Sequence, residues 1–510
     1  MKHRPRPSEQ DDLLRPRLVD MIDLRHELVK LAALIDWEVF DREWSGFFPS
    51  GKGRPATEPR LVAGLLYLQH AYRLSDESVV ARWIENPYYQ HFTGETFFQH
   101  RPPIDPSSLT RWRGRIGEEG VEWLLTQTIR AGQKSGVIDQ GSAKRVAVDT
   151  TVMEKNIAHP TDARLYERAR DQLVALAQEA GVELRQTYAR LAPRLALQVG
   201  RYAHARQFKR MRKALKKLKG YTGRVMRDLR RQLDDIPEDG LRDRITGKLA
   251  LVSQLLHQPP KGADKIYALH EPEVDCISKG KARVRYEFGC KVSVATTLDE
   301  GFVVGMRSFP GNPYDGHTLR PALEQVAILT DQRPDLAVVD RGYRGHGETR
   351  TRVLISGSRR GLTPRLIADL RRRSAIEAEI GHMKTDGRLA RCPLKGTIGD
   401  ALFAVLCACG HNIRKILAHL RAWLALIIAA ILAAQTAKDR QYQARTLCSG
   451  RTNYPVRRRP VQLGHVLCQI DPDDANFFHG CPLLQLVLRH HEYGTSRRRL
   501  GRAAHPFPTL

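Results

Sequence analysis

Cysteine is scarce in this chain: eight residues among 510, scattered singly apart from Cys407 and Cys409 in a CAC triplet. No C-x-x-C pair and no His/Cys spacing of a zinc site is present, so neither a zinc module nor a disulfide framework is expected. A reducing, cytoplasmic setting fits that usage. Acid is scarce as well, with 56 Asp+Glu against 83 Lys+Arg and a formal net charge of +27. Such an excess of base favours a polyanionic partner, of which nucleic acid is the commonest. Long apolar runs are missing too. The best membrane candidate, WLALIIAAILAA at 423–434, follows His419 and Arg421 and falls short of the ~20 residues a span requires. A buried or interfacial helix is expected there, and no membrane partner. The opening MKHRPRPSEQDDLL has no apolar core, so no secretory signal is expected.

What remains is a composition 42% hydrophobic and 27% charged, that of a folded protein, in a chain long enough for two to four domains. The first 135 residues read mostly as helices. Residues 58–74 have helical apolar spacing, Ser75 is a plausible cap with Glu77 near it, and 105–129 opens on a Pro/Ser cap followed by Arg111, Arg113 and Arg115. Two readings stay open for this region, a DNA-binding helical module and a helical packing domain. Residues 143–154 are β-rich, apolar at Val146 and Val148, and read as a strand ending at Asp149. A helical tract follows from about 163 to 256. Its middle, 201–231, carries thirteen Lys/Arg against one acid, Asp228, with Tyr202, Phe208 and Tyr221 interleaved. A run this long and one-signed repels itself, which favours an anionic partner over a merely solvated face. β-character returns at 283–297 and 301–311. After the turn NPYDGH come a helix, the strand LAVVD ending at Asp340, a strand at 351–356 and a further helix. This order suits an α/β fold with a mixed sheet flanked by helices.

Three acids stand out by position: Asp149 and Asp340 at strand ends, and Glu377 on the helix of RRSAIEAEIGHMKTDGRL. At ~100° per residue, Arg373, Glu377, Lys384 and Arg388 fall within roughly 60° of one another, whereas Glu379 points about 200° away from Glu377. Taken singly, each acid reads as a turn cap or surface ion pair. Together, three carboxylates at converging element ends make a hard-oxygen site suited to Mg²⁺ or Mn²⁺. Two such ions ~3.5–4 Å apart suit phosphodiester chemistry. Arg373, Lys384 and Arg388 are then candidate DNA contacts, as are Lys209, Arg210, Arg212, Lys213, Lys216 and Lys217 in the basic tract. Asn312, Asp315 and His317 in GNPYDGH are further candidates to approach the metal site, although a turn before a helix is the first explanation of Asp315 and Gly316.

The blocks VAVDTTVMEKNIAHPTDARL, LAVVDRGYRGH and RRSAIEAEIGHMKTDGRLARCPLKGTIGD, in that order, resemble the DDE transposases of bacterial insertion sequences, in the branch named after insertion sequence five. The basic tract is similar to that branch's helical insert. The resemblance runs from about residue 20 to 435. It implies a ribonuclease-H-like mixed-sheet catalytic core with a long helical insertion, preceded by an all-helical N-terminal domain. The boundaries expected are a disordered basic N-terminus at 1–20, a helical DNA-binding domain at 21–135, a catalytic domain at 140–435 with its insertion at about 160–260, and a tail of uncertain nature at 436–510. It also implies that Asp149, Asp340 and Glu377 are catalytic and hold two Mg²⁺ (or Mn²⁺) ions, and that Arg373, Glu377 and Lys384 form an R-x3-E-x6-K signature. The partners implied are double-stranded DNA, as terminal inverted repeats and target, and a second copy in a homodimer. Leu370 stands where fuller signatures carry tyrosine. An inactive DNA-binding descendant, or a metal-dependent nuclease that does not join strands, would share most of these features.

Overall fold

The computed structural model describes residues 15–48, 55–259, 262, 265–278, 285–358 and 361–448, the last stretch with side chains to Ala422. Two compact units divide the chain, Met1–Ala429 and Ala430–Leu510. Of the second, only helical backbone to Cys448 is described, so most of the expected tail lies outside the described residues. Residues 1–14 of the expected disordered N-terminus lie outside them too. That expectation ends early, because Leu18–Met21 is helical and Leu18 is fully buried.

The N-terminal region is helical, as its spacing predicts. Helices run over Glu27–Leu34, Glu38–Glu43, Pro59–Ala71, Asp76–Glu85, Pro87–Phe92 and Ser107–Ser135. Pro59 occupies a first-turn position, where its missing N–H costs nothing. Pro59–Ala71 is buried on nearly every side, the mark of a helix at the centre of a bundle. The Ser75 hydroxyl caps the next helix by accepting from the Ser78 N–H at 3.1 Å. The long Ser107–Ser135 helix breaks at Gly117, whose φ of 60° only glycine adopts readily.

The described strands are β1 (Arg145–Lys155), β2 (Asp275–Ile277), β3 (Glu287–Thr297), β4 (Val303–Phe309), β5 (Leu336–Val339), β6 (Arg352–Ile355) and β7 (Arg391–Cys392). They form one mixed sheet in the order β2-β3-β1-β5-β6, with β4 also on β3 and β7 on β1. β1 pairs antiparallel with β3 and parallel with β5, and β5 continues parallel to β6. β2 and β7 are too short to have left a periodic signal in the sequence. β1 is longer than expected. Asp149 therefore sits in mid-strand, opposite Val294, rather than at the strand's end. One continuous apolar core joins the N-terminal helices to this sheet, with Trp44, Tyr67 and Leu124 packed in the same cluster as Val146, Val292 and Phe403. Phe403 belongs to the Gly396–Cys448 helix. Among the described residues its segment Gly396–Ala422 is long and apolar enough to cross a membrane, but most of it is buried in the protein core. The apolar run at 423–434 falls on residues whose side chains are not described.

Between β1 and β2 the expected single helical tract is broken into Asp162–Glu179, Leu191–His204, Phe208–Arg231 and Asp239–His257. These helices enclose a separate core around Leu173, Leu218, Leu229, Ile245 and Leu255. The tract thus folds as its own small layer on the sheet's connection.

At the far end of β1 the Lys155 side chain is 1% exposed, with its ammonium 2.9 Å from Glu271 and 2.8 Å from Asp400. Burial opposes its charge, but these carboxylates outweigh it and raise the lysine's pKa. Replacing Lys155 by Ala leaves two buried carboxylates without their cation and should cost about 3–5 kcal/mol in a denaturant titration. A loss below about 1 kcal/mol, the range of an exposed pair, would refute this account.

Candidate active site

The parallel register sets the site. Ala147 on β1 is the Cα partner of Val338 on β5. Side chains repeat every two residues along a strand, so continuing that pairing by two brings Asp149 alongside Asp340 on one face. Asp340 follows the last residue of β5, and its Oδ1 accepts the Gly342 N–H at 2.8 Å. A Cβ at Gly342 would lie 3.0 Å from that oxygen and 3.2 Å from Asp315 Oδ2, so the two aspartates flank one glycine. The Asp315 backbone does open the Asp315–Thr330 helix, as the turn reading expects. Its side chain, however, faces the sheet, accepting the Thr150 hydroxyl at 3.0 Å and the Lys291 ammonium at 2.9 Å. Tyr343 is fully buried beside these acids. Burial first, then the charges of Asp149 and Asp315, pushes its phenol well above the ordinary value. Sequence reasoning missed Lys291, Thr150 and Tyr343, and it held a place near the site for Asp315 only as the second reading behind the turn. The only signal was the neighbouring Asp and Gly of NPYDGH.

Glu377 reaches the same face through an arginine. The stretch read as one helix is two, Pro364–Arg372 and Ala375–Thr385, with Arg373 and Ser374 at the break. At that break the Arg373 Nη2 lies 3.6 Å from Asp149 Oδ2 and 3.0 Å from Glu377 Oε1. Its side chain is 13% exposed and that of Glu377 is 67% exposed. A guanidinium thus stands between two of the three predicted acids. Among the described residues, no group of three or more His, Cys, Asp or Glu is close enough together to hold a metal ion.

Residues 16–115 match the family described as Transposase domain (DUF772), and residues 253–413 match the family described as Transposase DDE domain. An uncharacterised protein, ORF8 in the nfe locus of Rhizobium meliloti, is 52% identical over 204 residues, which cover 40% of this chain and 98% of that protein. The chain belongs to the DDE transposases. No solved structure matches it. DNA is accordingly the substrate of this transposase. The DDE match takes in Asp340 and Glu377, while β1 with Asp149 precedes it.

The other cations singled out by the sequence meet different surroundings in this transposase. The Lys384 ammonium donates to the Val152 carbonyl of β1 at 2.8 Å, tying the helix to the central strand. Arg388 lies beyond the helix end and off the expected stripe, its guanidinium over the Phe403 ring. In the N-terminal region Arg113 is buried and ion-paired with Asp76, so of the three arginines there Arg111 and Arg115 are the exposed ones. Lys209, Arg210, Arg212, Lys213, Lys216 and Lys217 are all exposed on the insertion.

Glu379 has a separate task, as its opposite helical direction implies. Its Oε2 lies 3.0 Å from His411 Nε2 and its Oε1 2.7 Å from Lys415 Nζ, which pins the helix to the long C-terminal one. Gly301, at φ 63°, leaves the space this carboxylate fills. Burial would raise the Glu379 pKa, but the His411 and Lys415 contacts outweigh it and hold it below the ordinary value. Glu379→Ala should therefore cost about 3–5 kcal/mol near neutral pH, and Glu377→Ala no more than about 0.5 kcal/mol. A depressed folded-state pKa contributes stability above the unfolded value and loses it as pH falls through the folded one. The gap between wild type and Glu379→Ala should accordingly narrow below about pH 4, measured by denaturant titrations across pH. Equal losses in the two variants would undo the division of roles.

Proposed function

We propose that this transposase binds the ends of its insertion sequence, cleaves the phosphodiester there and joins the freed 3′-OH ends to target DNA, with Asp149, Asp340 and Glu377 as its catalytic acids. The observation that carries the reading is the β1–β5 register, which sets two aspartates on one face with Asp315 beside them and Arg373 linking Asp149 to Glu377. The mixed sheet with β1 at its centre suits a ribonuclease-H-like core. Membership in the branch of insertion sequence five and action as a homodimer follow the same reading, since two element ends must be held at once.

The donor chemistry suits a hard divalent cation, although the three acids are not gathered closely enough here to hold one. All are carboxylate oxygens, and a cationic Arg373 already stands between Asp149 and Glu377. Asp149, Asp340 and Glu377 would hold Mg²⁺ or Mn²⁺, two ions being the expected number. The metal would supply Lewis-acid stabilisation of phosphate charge and a more acidic attacking hydroxyl. The chain's own residues do the rest. Lys291 neutralises Asp315, which limits repulsion among neighbouring carboxylates. Arg373 is positioned to move from its two carboxylates to a phosphate oxygen as DNA enters. In the joining step the 3′-oxygen forms a new bond to the target phosphorus as the bond to the target's own 3′-oxygen breaks. The exposed cations of the insertion, Lys209 to Lys217, hold the backbone of the substrate.

A strand-cleavage and strand-transfer assay tests this. Labelled DNA carrying the element ends is mixed with wild type or Asp340→Asn, in Mg²⁺ or in EDTA. Wild type should nick and join only with Mg²⁺, and Asp340→Asn should bind equally while losing at least about 10²-fold in rate. Binding by both proteins without cutting in Mg²⁺ or Mn²⁺ would make the chain a DNA-binding descendant. Cutting without joining would make it a nuclease.

A further inference from the structure

The basic tract of the insertion is a helical hairpin with an exposed aromatic ring at its tip. Leu191–His204 and Phe208–Arg231 are joined by a tight turn in which Arg206 adopts φ 54° and the Gln207 N–H reaches back to the Tyr202 carbonyl at 2.8 Å. Buried positions of the second helix begin at Ala214 and Leu218, and every residue from 203 to 210 is exposed. The hairpin end thus projects beyond the core of its own layer. Of the three aromatics interleaved with the cations, Tyr221 is buried and stacked on Tyr188 at 4.2 Å between centroids, and Tyr202 packs against the same core. Phe208 alone presents its ring, 52% exposed, at the first turn of the second helix. Exposed cations flank it on both sides: Arg201 and Arg206 before, Lys209, Arg210, Arg212 and Lys213 after. None of the lysines or arginines from Lys209 to Lys219 forms an ion pair among the described residues.

A half-exposed phenyl ring on a tip of one charge sign belongs to no apolar core among the described residues. A ring framed by phosphate-binding cations has the layout of an apolar wedge, which enters between base pairs while the flanking cations grip the backbones. We propose that Phe208 is such a wedge. The hairpin tip seats on duplex DNA in the minor groove, and the ring unstacks one base step and kinks the duplex. This goes beyond backbone neutralisation, and it rests on the reading of the chain as a DNA-binding transposase.

The test uses the full chain, in EDTA, on a mixed-sequence duplex of about 40 base pairs. Permanganate reports unstacked thymines wherever they fall, and end-to-end fluorescence transfer reports bending. Wild type should create hyperreactive thymines and shorten the end-to-end distance. Phe208→Ala should abolish both while weakening binding by about tenfold or less, and Phe208→Trp should keep both. Lys213→Ala with Lys217→Ala should keep the thymine pattern, weaken binding, and reduce the salt slope by about 1 for each phosphate no longer neutralised. Phe208 is exposed, so its variants should melt with wild type. An unchanged thymine pattern in Phe208→Ala, or no unstacking by wild type, overturns the proposal. With metal withheld, the outcome is independent of whether Asp149, Asp340 and Glu377 cut DNA.

Discussion

The parallel pairing of β1 with β5 is the constraint on which the rest of this transposase depends. Sequence separates Asp149 from Asp340 by the whole insertion and half the sheet, and only that pairing makes them neighbours. Because side chains along a strand repeat every two residues, a slip of one position would send one of the two aspartates to the opposite face. The register is held from both sides of β1. Val146, Val148 and Val292 pack into the common core, and Lys155 anchors the strand's far end through Glu271 and Asp400. The Lys384 bond to Val152 then hangs the glutamate-bearing helix from the same strand.

Cations do three different jobs in this chain, and their partners separate them. Arg113 with Asp76, Arg145 with Asp369 and Lys155 with its carboxylates are inward pairs, where losing one partner strands a charge in a low-dielectric interior. Lys291, which is buried, and Arg373, whose side chain is 13% exposed, each neutralise acids of the site. The cations on the outer face of the insertion meet solvent. Composition alone reports only the sum of these; residues 201–231, with thirteen bases against one acid, carry +12 of the surplus of +27.

The two glutamates of RRSAIEAEIGH show how far local geometry carries. Their angular separation already assigns them to different surroundings, and the structure gives Glu379 to His411 and Lys415 and Glu377 to Arg373. The same geometry misjudged Arg388, because the helix ends at Thr385 and the chain turns Arg388 onto Phe403. Helical-wheel reasoning holds only while the helix lasts, and neither its break at Ser374 nor its end carries a proline to announce it.

By itself the sequence determined the element types, the helical insertion between strands, the basic surplus, and the strand-end place of Asp340, because apolar periodicity and net charge are local properties. The mid-strand place of Asp149 escaped it, since strand length depends on the partners available on β3. Lys291 and Tyr343 escaped it for a related reason: each meets the site through contacts between residues far apart in the chain, and nothing adjacent to them marks the encounter. The tertiary structure alone decided which carboxylates share a face, which cations are buried, and that Phe208, unlike Tyr202 and Tyr221, stands exposed. Those outcomes are set by strand pairing and by the competition for a limited core, which no single segment encodes.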